Sequence, residues 1–357
     1  MKHSQLLIIL VCVLLAHVLF ILAIKPSKKK APDTQQPATE TQAPEKETAA
    51  PAPQPTPVIP EPPKPETPKI APFTQTYFRY APQPLTGKAA TLVNDCKGAI
   101  AVNLSTRTVL WSKNADTALP IASITKMMTA LLAVEKMHNS NGAITLETRI
   151  PVTAAASKIG GRQAWIDPKE SFTVEEMLKA TMVHSANDCA YLLAEYFGGS
   201  EEAFVSEMNT RAQQLGCDTF HFYNSHGLPA DKTHQNVASP KQLAYLAEQL
   251  LNIPEISKWS HVKTAYLREN DEAFLKKHQK ATMLSSSNSL LGKCPGVNGM
   301  KTGYTQKAGF SIVATCERNG VKTAVVTLGA PSRKSRDALT AALLEWIYAT
   351  QQSAKQP

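Results

Sequence analysis

The sequence predicts a mixed α/β (α+β) domain: an antiparallel five-stranded sheet with flanking helices, plus an all-helical subdomain. Three observations carry that expectation. Two β-rich runs, 309–315 and 322–328, flank Asn319-Gly320, a pair that tolerates the positive φ of a tight hairpin turn. Residues 98–103 and 108–111 read as a second, opening hairpin. Between these hairpins, from about Ile124 to Leu251, the apolar spacing is mostly helical.

Taken in order, the elements have identifiable causes. After Ser123, apolar residues at Ile124, Met127, Met128, Leu131, Leu132 and Val134 recur at helical spacing, without Gly or Pro. Pro120 upstream favours an extended approach to that helix. Thr173-Val174-Glu175-Glu176 is a capping box that opens a further helix. The run Ala190 to Phe197 continues another helix, which Gly198-Gly199 ends. Ser239-Pro240 starts one more, with proline at the first helical position. Residues 300–304 supply the fifth strand, and 338–348 supply a closing helix against the sheet.

Three short motifs punctuate this frame. Ser123-Ile124-Thr125-Lys126 places an amine one turn from a hydroxyl, on the same face. Serine is a poor nucleophile until a base removes its proton, and lysine is a base only when burial or a nearby cation keeps it neutral. Ser185-Ala186-Asn187 falls at a corner between two helical patterns, where a hydroxyl and a carboxamide can face a cleft. Lys301-Thr302-Gly303 opens a β segment, offering a cation, a hydroxyl and a backbone that a peptide can approach closely. Two further S-x-x-K matches, at Ser27 and Ser260, lack a helix start.

S-x-x-K, S-x-N and K-T-G in this order are the signature of serine acyl-transferring enzymes that bind penicillin. The chain resembles the low-molecular-mass penicillin-binding D-alanyl-D-alanine carboxypeptidases from about Leu85 to Tyr348. The likeness rests on 120–129, Ser185-Ala186-Asn187-Asp188, 204–209, Asn224-Ser225-His226-Gly227-Leu228-Pro229 and 299–305. It implies a β-lactamase/transpeptidase-like fold, with Ser123 acylated, Lys126 as base and Ser185 as proton relay. It also implies that Asn187, Lys301, Thr302, Gly303, Tyr304 and Arg336 bind substrate, with Arg333 a fallback for Arg336. Its oxyanion hole is the pair of N–H groups of Ser123 and Tyr304. The implied reaction removes terminal D-alanine from peptidoglycan stem peptides, with β-lactams as covalent inhibitors and no cofactor. Many relatives carry Asn-Arg-Leu-Leu before the third motif, whereas this chain has Asn288-Ser289-Leu290-Leu291. A class A-like β-lactamase and a non-catalytic peptidoglycan-binding scaffold are the alternatives. The first needs a water-activating E-x-x-x-N, and Glu248 to Asn252 is the match downstream of Ser185.

Outside the enzyme unit, Leu6 to Ile24 is an apolar run spanning about 28 Å as a helix, close to a bilayer core. It is expected to be an uncleaved signal anchor, with a cleaved signal peptide as second choice. Lys25, Lys28, Lys29 and Lys30 follow it, and charge alone would hold that side in the cytosol. The implied substrate instead puts the enzyme unit in the bacterial cell envelope, outside the cytoplasmic membrane and tethered to it. Residues 31–72 hold about half of the 25 prolines and read as a disordered linker. The expected organisation is therefore 1–30 anchor with basic flank, 31–72 linker, 73–350 catalytic domain and 351–357 tail. The net charge of +9 is spread out, without the aromatic–basic interleaving of a nucleic-acid surface. Cys96, Cys189, Cys217, Cys294 and Cys316 lack paired metal spacing and read as small buried hydrophobes; His184 and His226 read as structural, and no metal is expected.

Overall fold

Six consecutive buried residues, Gly98–Asn103, form a strand covered on both faces. It lies in the sheet of a computed structural model that describes residues 78–269, 276 and 281–353. The strands are β1 (Arg79–Tyr80), β2 (Gly98–Asn103), β3 (Thr108–Lys113), β4 (Val297–Thr305), β5 (Gly309–Arg318) and β6 (Val321–Ala330). Their order across the sheet is β1-β3-β2-β6-β5-β4. The five long strands pair antiparallel, as expected. The sheet nevertheless has six strands, because two residues at Arg79–Tyr80 pair parallel with β3. So short an edge strand leaves no alternating pattern to read.

Alternation within β2 sorts the two covering layers. Ala99 and Ala101 pack with Ile312, Ala314 and Val325 against Leu339, Leu343 and Ile347 of the closing helix. Ile100 and Val102 pack with Val313 and Val326 against the helical subdomain. Its main helices are Lys126–His138, Asn187–Gly198, Glu201–Gln214 and Pro240–Leu250. The capping box at Thr173 is formed in both directions, and Ser239 caps a helix with proline in its first turn. Asn319 and Gly320 take φ of 51° and 73°, the two-residue hairpin turn that Asn-Gly announces.

The closing helix spans Arg333–Ser353, longer at both ends than 338–348. Its start escapes a hydrophobic-period reading because the first turn is polar; Ser332 Oγ accepts from the Ser335 N–H at 3.0 Å and caps it. Five cysteines are free and buried among the described residues. The apolar run 6–24 and the linker 31–72 lie outside the described residues. Among the described residues, no helix is long and apolar enough to cross a membrane.

Candidate active site

Ser123 sits in a 3-10 turn, Ala122–Thr125, and the α-helix proper begins at Lys126. The expectation that Ser123 itself opens the α-helix is thus adjusted by one tight turn. The chain arrives through Leu119–Pro120, which pairs antiparallel with Val237–Ala238. Ala122 then takes a positive φ of 49°, a conformation that costs a non-glycine residue energy and is held here by its surroundings. Thr125 Oγ1 donates to the Ala122 carbonyl at 2.7 Å and is itself bonded by Asn236 Nδ2 at 2.9 Å. Two glycines press on the same turn. A Cβ on Gly227 would meet the Ala122 carbonyl oxygen at 2.1 Å, and one on Gly303 would meet that of Ile121 at 2.3 Å. Both positions therefore admit only glycine without moving the serine.

Lys126 is fully buried. Its Nζ lies 3.0 Å from Ser123 Oγ, 2.7 Å from Asn187 Oδ1 and 2.5 Å from the His226 carbonyl oxygen. Burial, seconded by the charge of Lys301, holds the amine well below its ordinary pKa. A neutral amine has two N–H donors and one lone pair. Asn187 and His226 present two acceptors, so the lone pair is left for the Ser123 hydroxyl. The Asn187 amide orientation is fixed by its Nδ2, which donates to the Gly160 carbonyl at 2.8 Å.

The second and third motifs meet at one hydrogen bond. Ser185 follows a π turn, Ala180–His184, in the left-handed region with φ of 64°, so its side chain swings out of the helical path. Its Oγ accepts from Lys301 Nζ at 2.7 Å. Lys301 is buried on β4, and burial together with the charges of Arg162 and Arg336 brings it down to about 7. Thr302 Oγ1 is 2.5 Å from Ser287 Oγ. Tyr304 is exposed and stacks on Phe310, ring centroids 4.2 Å apart.

A further prediction arises from Lys301. Its proton affinity in the folded state is depressed below its unfolded value of 10.5. Below about 7 both states carry the proton, and the cost of burying the charge is felt in full. As pH rises from there, the unfolded chain holds more protons than the folded one, so stability rises. Lys301→Met removes the buried charge. It is expected to raise the melting temperature, relative to wild type, more at about pH 6 than at about pH 10. Thermal melts of both proteins across that range check it; a difference that does not change with pH contradicts a depressed Lys301.

Arg336 is buried, and Asp337 holds it. Its Nε donates to Asp337 Oδ1 at 2.8 Å, and Nη2 lies 2.6 Å from the same oxygen. Ser289 Oγ donates to the other oxygen of Asp337. Arg333 is exposed in the first turn of the closing helix. Glu248 pairs with Arg107 at 3.1 Å on the helix Pro240–Leu250.

Four participants had no role assigned from sequence. The His226 backbone carbonyl holds the lysine amine. Asp188, fully buried, accepts from the N–H groups of Ala164, Trp165 and Cys189 at 2.9–3.0 Å. Arg162 accepts the Asn187 N–H on its carbonyl at 2.7 Å. Glu201 accepts from the Ser225 N–H and hydroxyl at 2.9 and 2.6 Å, and steadies the segment that carries His226. The Asn224-Ser225-His226-Gly227 stretch was visible in the sequence, but a carbonyl contact leaves no mark on residue type.

A half-buried Ser123 bonded to a buried Lys126, faced by Ser185, Asn187 and Lys301-Thr302-Gly303, brings the three motifs of the penicillin-binding signature to one place. Sequence and structure comparisons refine this. The chain belongs to the D-alanyl-D-alanine carboxypeptidase family, whose profile matches residues 86–332. It is 33% identical over 261 residues to the D-alanyl-D-alanine carboxypeptidase DacF of Bacillus subtilis, covering 73% of this chain and 64% of that protein. The chain thus spans less than two thirds of that relative. A D-alanyl-D-alanine endopeptidase of Haemophilus influenzae is 30% identical over 241 residues, covering 66% of this chain and 76% of that one. Penicillin-binding protein D2 of Listeria monocytogenes, solved in its cefotaxime-bound form, superposes with a TM-score of 0.63 at 26% identity, covering 74% of this chain and 100% of that one.

Proposed function

We propose that this chain is a serine-type D-Ala-D-Ala carboxypeptidase that removes the terminal D-alanine from peptidoglycan stem peptides. The observation that supports it most is the Lys126 amine, whose two donors are matched by Asn187 and His226 while its lone pair faces Ser123. Ser123 Oγ attacks the penultimate D-alanine carbonyl carbon, and its proton passes to Lys126. The oxyanion is received by the N–H groups of Ser123 and Tyr304. Gly303 supports that role, since its Cβ position would lie only 3.2 Å from the Ser123 nitrogen. The C–N bond breaks, and the departing amine takes a proton through Ser185, whose oxygen is polarised by Lys301. Water then attacks the ester, returns a proton to Ser123 and frees the shortened peptide. Thr302 and Lys301 bind the substrate's carboxylate side, Asn187 its backbone amide, and penicillins acylate the same serine. Membrane attachment through 6–24 belongs to this reading and is supported by the apolar run alone.

Mass spectrometry of a pentapeptide ending in D-Ala-D-Ala, after incubation with the protein, is expected to show loss of one alanine. Ser123→Ala is expected to abolish both that loss and covalent labelling by a fluorescent penicillin. Rapid hydrolysis of the penicillin by wild type, without alanine release, would instead mark a β-lactamase. The Glu248–Arg107 ion pair speaks against that outcome. Absence of any label on wild type would mark a scaffold.

A further inference from the structure

Asn298 is an extra residue in β4. Val297 faces Cys316 and Gly299 faces Thr315, so β4 uses two residues where β5 uses one. A bulge of this kind re-aims a side chain and is a built feature of a strand. Ser260 Oγ, from the helix Pro254–Ser260, lies 3.0 Å from the Asn298 carbonyl oxygen and pins the bulge. The side-chain oxygen of Asn298 is buried, yet among the described residues it has no hydrogen-bond partner. A buried acceptor left unpaired is costly, and native structures keep few of them.

Asn298 lines a cavity of about 320 Å³, the size at which small-molecule sites begin. None of Ser123, Lys126, Ser185, Asn187 and Lys301 borders it. Lys301 follows three residues later on the same strand, about 10 Å away along it. Glu317 and Lys322 line the cavity too. They face each other in the β5–β6 register, where opposite charges ordinarily pair, but among the described residues neither side chain makes an ion pair. His261, also on the wall, donates from Nδ1 to the Ser257 carbonyl at 3.1 Å, which leaves Nε2 of the neutral ring as an acceptor. Lys258 is already held by Glu175. Leu251 and Pro254 add apolar surface. The wall thus offers three acceptors, one of them a carboxylate, together with one unpaired ammonium and a small apolar area.

We propose that this cavity is a second binding site, separate from the catalytic one, for a small zwitterion: the ammonium and carboxylate of a free amino acid or a dipeptide. The three N–H groups of the ligand's ammonium match Asn298 Oδ1, Glu317 and His261 Nε2. Lys322 takes the carboxylate, and Leu251 and Pro254 receive a side chain of methyl size. The site stands independently of the reaction proposed above.

Isothermal titration calorimetry of the full chain with D-alanine and with D-alanyl-D-alanine tests it. At least one of the two is expected to bind, and the tighter of them identifies the source of the zwitterion. N-acetyl-D-alanine lacks the ammonium and D-alaninamide lacks the carboxylate, so each is expected to bind roughly 10-fold or more weakly. Glu317→Gln and Lys322→Gln are expected to weaken the zwitterion by a similar factor while melting as wild type does, because both residues are exposed. Asn298→Ala is expected to weaken it as well. No heat with either zwitterion overturns the proposal. So does equal binding of the two blocked analogues, and so does an affinity that Glu317→Gln and Lys322→Gln leave unchanged, which would place the ligand elsewhere.

Discussion

Lys126→Met is expected to lower the acylation of Ser123 by about 10²–10⁴-fold, the range that a positioned general base contributes. Methionine keeps the length and the apolar stem, so the helix Lys126–His138 retains its packing among Met127, Leu131 and Val134. What disappears is the lone pair 3.0 Å from Ser123 Oγ. Two acceptors also lose their donor, Asn187 Oδ1 and the His226 carbonyl, at a stability cost of roughly 1–3 kcal/mol each. The informative control is Lys126→Arg. Arginine supplies donors and a fixed positive charge but never a lone pair, so it cannot act as base. Stopped-flow labelling with a fluorescent penicillin should therefore place both variants in the same slow range. A Lys126→Arg protein that acylates near the wild-type rate would mean that the cation, not a neutral amine, is what the site uses. The wild-type rate should also fall with pH as the amine takes up a proton, and Lys126→Met should lose that limb.

Much of this arrangement was legible in the sequence because it is written in side chains. The nucleophile and base stand three residues apart on a helical pattern, Asn319-Gly320 fixes a hairpin, and Thr173 with Glu176 declares a cap. Each of these signals is local, and each has one dominant physical reading. The parts that could not be read are of two kinds. Some depend on backbone atoms: the His226 carbonyl on Lys126, the Ala122 carbonyl against Gly227, and the Gly160 carbonyl that orients Asn187. Any residue supplies a carbonyl, so residue type carries no trace of the contact. Others depend on competition between long-range partners. The resemblance points to Arg336 after the last strand, but not to the Ser311 carbonyl that its Nη1 reaches or to the distant Ser289 that engages the adjacent Asp337. Arg162 stood in a glycine-flanked loop with no pattern of its own. Only the folding of Ser285 and His184 around it shows how its guanidinium is held in place.

Asp188→Ala is expected to be the most destabilising single change near the site, by on the order of 3 kcal/mol or more. The wild-type carboxylate is fully buried. It accepts from Ala164 at 3.0 Å with both oxygens, from Trp165 at 2.9 Å, and from Cys189 at 2.9 Å. The Ala164 and Cys189 N–H groups are buried and that of Trp165 half-buried, so removing the acceptor leaves several unsatisfied groups together. The loop also carries strain of its own. Trp165 holds a φ of 58° while the residue is 73% exposed, so its hydrogen bonds to Asp188 and from Arg268, not burial of the ring, keep it there. A fall in melting temperature of roughly 6–12 °C follows from that energy for a domain of this size. The consequence for chemistry is separate from the loss of stability. The same loop delivers the Gly160 carbonyl to Asn187 Nδ2 and the Arg162 carbonyl to the Asn187 N–H. Freed from Asp188, it no longer fixes the carboxamide that orients the Lys126 amine. Penicillin acylation measured well below the melting transition should therefore slow, and limited proteolysis should open the chain within 160–167. Asp188→Asn keeps one acceptor oxygen and should fall between the variant and wild type on both readouts. If Asp188→Ala melts near wild type and keeps its acylation rate, the loop is held by something other than this carboxylate.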